Sequence, residues 1–142
     1  MPHKISDQLT VEYIVFCEDI REEIGHKFTA CGVINGDIRV ASFPATLRMA
    51  FFGSVICTAP SAITEMQLKL DDLSIGQARI HFEFTEDNPV ASLVVPSGFL
   101  QIDSPRDFTL SLAHGGEPVV LIRKKIILGE ISPSSIALQP HA

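Results

Sequence analysis

Apolar and polar residues alternate with a period of two in short blocks along most of the chain, and turn-forming residues close each block. That is the pattern of half-buried β-strands. Three blocks show it cleanly. Met66, Leu68 and Leu70 oppose Glu65, Gln67 and Lys69; Ile80, Phe82 and Phe84 oppose Arg79, His81 and Glu83; Phe108, Leu110 and Leu112 oppose Thr109, Ser111 and Ala113. Earlier in the chain, Leu9, Val11, Tyr13, Val15 and Cys17 fall on one side of a first strand. Ile14 and Phe16 make its second face apolar as well towards the end. A second strand is predicted over 26–34, turned by Asn35-Gly36 into a short strand over 37–40, because both positions of that two-residue turn favour φ > 0. An apolar strand over 47–58, two short strands over 91–95 and 99–102, and a long one over 119–128 complete the set.

Only one stretch reads as helical. Asp19-Ile20-Arg21-Glu22 has the residue types of a capping box, and Gly25 suits the end of a single turn. Residues 60–64 are the one other place where a turn of helix fits. About seven to nine strands with at most one or two helical turns predict an all-β fold, a two-layer antiparallel β-sandwich of immunoglobulin-like type. The chain of 142 residues is read as a single sandwich domain over 1–131 and a flexible tail over 132–142.

The segment Tyr13-Ile14-Val15-Phe16-Cys17-Glu18-Asp19-Ile20-Arg21 continues through Glu23-Ile24-Gly25 and Lys27. Gly32-Val33, Gly36-Asp37-Ile38 and Phe43-Pro44-Ala45-Thr46-Leu47 follow. In these residues the chain resembles an uncharacterised bacterial family of short all-β proteins that open with such a cysteine–acidic–arginine segment. The resemblance implies a bacterial, single-domain, sandwich-like protein. It brings no activity, substrate or catalytic residue with it.

Composition narrows the function classes. With 46% hydrophobic and 20% charged residues the chain is a folding one rather than a disordered one. Eleven basic against 17 acidic residues, a net charge of −6, one Tyr and no Trp all oppose nucleic-acid binding. The N-terminus is polar with no apolar stretch behind it, and no run approaches the ~20 apolar residues of a membrane helix. A cytoplasmic protein with no membrane contact is expected. Cys17, Cys31 and Cys57 are odd in number and lack a Cys-x-x-Cys spacing, so reduced buried thiols are expected. Glu18 and Asp19 should raise the pKa of Cys17.

Motifs for phosphate loops, dinucleotide folds, zinc proteases and serine hydrolases are absent, and no two of His3, His26, His81, His114 and His141 have metal-pair spacing. No catalytic residue, cofactor or metal is predicted. The densest polar constellation is Glu18, Asp19, Arg21, Glu22, Glu23 and Lys27. Its structural reading is a capped turn with Glu18–Arg21 and Glu23–Lys27 pairs. Its functional reading is a cation site or a recognition patch for a basic partner, with Glu18, Asp19, Arg21, Glu22 and Lys27 as the interaction patch. Asp71, Asp72, Glu86, Asp87, Asp103 and Asp107 form a possible calcium set, though without a fixed ligand spacing. His81 and Glu83 share a strand face as an acid–base pair would, but lack an adjacent nucleophile. Arg123-Lys124-Lys125 reads first as a gatekeeper run on an apolar strand and second as an anion site.

These readings favour a non-enzymatic protein-interaction or accessory module with a protein partner or self-association as a homodimer. The alternative is a small-ligand, carbohydrate or calcium-binding sandwich.

Overall fold

The computed structural model describes residues 2–25 and 27–129. Among them eleven strands, rather than the expected seven to nine, follow one another: β1 (His3–Lys4), β2 (Leu9–Cys17), β3 (Asp19–Glu23), β4 (Lys27–Cys31), β5 (Ile38–Val40), β6 (Ala45–Cys57), β7 (Ser61–Leu70), β8 (Leu73–Glu83), β9 (Val90–Ile102), β10 (Arg106–Ala113) and β11 (Val119–Leu128). No helix occurs among the described residues. A four-stranded sheet in the order β1-β2-β6-β9 packs on a five-stranded sheet in the order β5-β11-β10-β7-β8, and β3 and β4 form a separate ribbon. The fold is therefore all-β and two-layered, with antiparallel pairing except where β5 joins β11. The expected tail over 132–142 lies outside the described residues.

The three clean alternations bury the faces their apolar residues define. Phe108, Leu110 and Leu112 are fully buried, as are Phe82 and Phe84 but for a few percent. Phe16 and Phe51 of the four-stranded sheet lie edge to face at 5.1 Å and both meet Phe108 of the other sheet, Phe16 edge to face at 5.8 Å and Phe51 in a parallel stack at 6.0 Å. These rings join the two layers at the centre of the core. Thr64, buried on the same interior side, donates its hydroxyl to the Ile80 carbonyl at 3.1 Å, so the core holds no unmet side-chain demand there.

Five local expectations are corrected. Residues 19–25 form no helical turn: β3 and β4 pair with Asp19 opposite Cys31 and Glu23 opposite Lys27, and Gly25 at φ 86° serves the hairpin turn. A single helical turn fixes three residues for one hydrogen bond, and a ladder of cross-strand bonds outcompetes it. Asn35-Gly36 closes no hairpin. Gly36 does take φ 79°, but the chain there leaves the ribbon and β5 pairs in parallel with β11, Ile38 beside Ile126. That register buries Ile38 and Val40 in the core, which pairing with the exposed ribbon would not.

The blocks at 91–95 and 99–102 are one strand, β9. It lies at a sheet edge, where Pro96 removes no needed ladder bond. Residues 60–64 give a strand start, with Ala62 and Thr64 inward. Finally, the first strand does not keep one face throughout. A bulge at Glu12, between Val11 and Tyr13, switches the alternation. Leu9 and Val11 point in, Tyr13 points out, and Ile14 and Phe16 take over the core side.

Candidate functional site

That bulge and the ribbon together create the most unusual surface of the molecule. The outward side of the four-stranded sheet carries Tyr13 and Val15 from β2, Phe52 from β6, and Val90, Val94 and Phe99 from β9, as the strand registers require. The outer face of an antiparallel sheet is ordinarily polar. Here Tyr13 and Phe52 approach to 6.4 Å, and Phe28 of the ribbon packs on Phe52 at 5.1 Å. Phe99 is 75% exposed and Tyr13 47%. The ribbon shields only part of this face. Beneath it Cys17 and Ala50 are fully buried although neither belongs to the central core.

The ribbon holds Asp19, Arg21, Glu22 and Lys27 of the expected patch and arranges them as a strand does, while Glu18 lies in the bend between β2 and β3. Asp19 forms ion pairs with Arg48 at 3.2 Å and with Arg21 at 3.6 Å, and the Arg48 guanidinium lies 6.0 Å from the Phe99 ring centre. Arg21 thus pairs with Asp19, not with Glu18, because two residues apart on a strand is one face while three apart is not. Glu22 sits opposite Phe28 on the other side of the ribbon. Glu18 is exposed and leans over Gly32, where an added Cβ would strike its carboxylate. Glu23 takes a hydrogen bond from Thr29 at 3.3 Å, and Lys27 forms no ion pair among the described residues. The expected helical pairs are therefore not made. Burial chiefly raises the Cys17 pKa, opposed by a hydrogen bond to the Asp19 carbonyl; nearby Cys31, Asp19 and Glu18 add smaller upward pushes. The expected direction appears, with burial as its main cause.

The loop carboxylates do not converge on one point. Asp71 and Asp103 both pair with Arg106, at 3.3 and 3.5 Å, so a cation of the protein itself stands between them. Glu86 and Asp87 belong to a different loop, the one between β8 and β9. Among the described residues no three His, Cys, Asp or Glu side chains group as a metal site. His81 and Glu83 lie exposed on the outer side of β8, opposite Ile63 and Ser61. His26 and His141 lie outside the described residues.

Sequence reasoning missed two groupings. Ser6 Oγ lies 2.7 Å from His114 Nδ1 while also accepting from the backbone N–H of Leu9 at 3.1 Å and of Gln8 at 3.3 Å. With both amides on its lone pairs, this hydroxyl donates to the imidazole and locks the turn before β2 to the loop after β10. The second is a cleft of about 380 Å³ between β2 and β11 that takes in His3, Asn35, Arg123 and Lys124. No protein-family model matches the chain, and comparison with curated proteins finds no match.

Proposed function

We propose that the protein is a non-enzymatic interaction module that seats a protein partner on the outer face of its four-stranded sheet, with the β3–β4 ribbon as the rim. The observation that carries this reading is the aromatic and aliphatic row on a face the fold does not need for its core, above all Phe99 at 75% exposure. Large rigid aromatics edged by arginine are what protein interfaces use as anchors. Arg48, held between Asp19 and Phe99, supplies a fixed cation at the edge of that row. Glu18, Arg21, Glu22 and Lys27 add an exposed mixed-charge rim that favours a partner of complementary charge. A second copy of this chain is the simplest such partner. The free thiols Cys17, Cys31 and Cys57 support the expected cytoplasmic setting.

The test compares wild type, Phe99→Glu and Ile63→Glu. Ile63 is 56% exposed on the outer side of the other sheet and serves as the control. Light scattering measures whether the mass in solution exceeds the 15.5 kDa of one chain, and cross-linking in the native host finds a different partner. The reading expects association that Phe99→Glu abolishes and Ile63→Glu leaves intact. Equal association by all three would contradict it.

A further inference from the structure

We propose that the cleft between β2 and β11 binds a small organic anion, an oxyanion head on a compact apolar body, with Lys124 holding the head. The cleft exists because neither strand is fully flanked. β1 pairs with β2 only through Thr10 and Val11, and β5 pairs with β11 only over residues 126–128. Between those pairings the two strand edges face each other across about 380 Å³, within the ~300–1,000 Å³ of small-molecule pockets. Ile14, Ile34 and Ile122 give it apolar walls, and none of its twelve lining residues is acidic although the chain carries a net charge of −6.

The register of β11 is the second observation. Lys124 stands opposite Phe108, with Ile122 opposite Leu110 and Ile126 opposite Arg106, so the lysine occupies the core side of the strand between two buried isoleucines. It is half-buried and forms no ion pair among the described residues. A lysine on that side lays its stem against the isoleucines and leaves its ammonium at the opening with no counter-charge from the protein among the described residues. A gatekeeper belongs on the solvent side, where Arg123 and Lys125 are exposed. Lys124 does not fit that role. A bound anion accounts for it, with His3 and Asn35 among the polar residues that line the same cleft.

The test titrates the full chain with phenyl phosphate and with benzoate, followed by amide chemical shifts, with phenol as the uncharged probe. We expect saturable shifts confined to Tyr13, Asn35 and residues 121–124 with one or both anions, and none there with phenol. Which anion binds more tightly identifies the head group. Lys124→Gln should weaken binding about tenfold or more, while Lys69→Gln on the outer side of β7 should change it less than about twofold. Lys124→Met should bind no anion and melt at a higher temperature than wild type, because an apolar side chain suits the core side better. Shifts scattered over the surface lysines and arginines, an equal response to phenol, no response to either anion, or a lower melting temperature for Lys124→Met would each overturn the proposal.

Discussion

Two aromatic groups sit back to back in this molecule. Phe16, Phe51 and Phe108 are enclosed between the sheets, whereas Tyr13, Phe28, Phe52 and Phe99 gather on the far side of the same four-stranded sheet. The strands β2 and β6 contribute to both, and the neighbours Phe51 and Phe52 point to opposite sides. Residue type therefore does not decide which group holds the fold together. The pleat decides it, together with the bulge at Glu12 that puts Tyr13 outside and Phe16 inside. The inner group closes on itself from two layers. The outer group has cover on one side only, from a two-stranded ribbon, and Phe99 and Tyr13 remain exposed.

The largest effect expected from this contrast is at the inner group. Phe108→Ala removes a ring in contact with two others and should destabilise by about 3–5 kcal/mol in urea unfolding. A loss below about 1 kcal/mol would mean that the layers are not joined there. Next comes the residue that lets the bulged strand approach its neighbour. A Cβ on Gly53 would lie 2.7 Å from the Tyr13 carbonyl oxygen, a backbone atom with little room to move. Gly53→Ala should cost about 1–3 kcal/mol as overpacking and should shift the amide signals of Tyr13 and Ile14. A neutral result would show that the β2 bulge is soft.

The ribbon's cover over the outer group is sharpened by thiol chemistry. Cys17 is fully buried beneath the ribbon and its pKa is raised, chiefly by that burial, while Cys31 is half-exposed on β4. Near neutral pH the folded protein should react with iodoacetamide at Cys31 about tenfold faster than at Cys17, since the thiolate is the reacting form. Equal rates, read by peptide mass mapping, would show the ribbon lifting off the sheet faster than the reagent attacks.

Much of the sandwich was legible because period two speaks directly about faces. The blocks ending at Leu70, Phe84 and Leu112 each named their own buried side, and the strand over 119–128 was found in full. What stayed hidden depended on partners distant in the chain. Asp19 to Glu22 carries capping-box types that serve a hairpin equally well, and only pairing with residues 27–31 decides between them. Ile38 and Val40 join β11 across some ninety residues, which Asn35-Gly36 cannot signal. The outer aromatic group left a trace in the two-sided apolarity of residues 13–16, although the bulge that exploits it has no sequence mark. The Arg123-Lys124-Lys125 run was visible as charge; that its middle member faces the core became clear only from the register against Phe108.

The claim that the outer face serves binding rather than folding is tested most directly by the unfolding free energy of Phe99→Glu. The side chain is 75% exposed and contributes little to the core. Replacing it should change stability by no more than about 0.5 kcal/mol relative to wild type in urea melts of the unassociated protein, as surface substitutions do. A loss of about 2 kcal/mol or more would make Phe99 a structural residue and would contradict the account of this face as a docking surface.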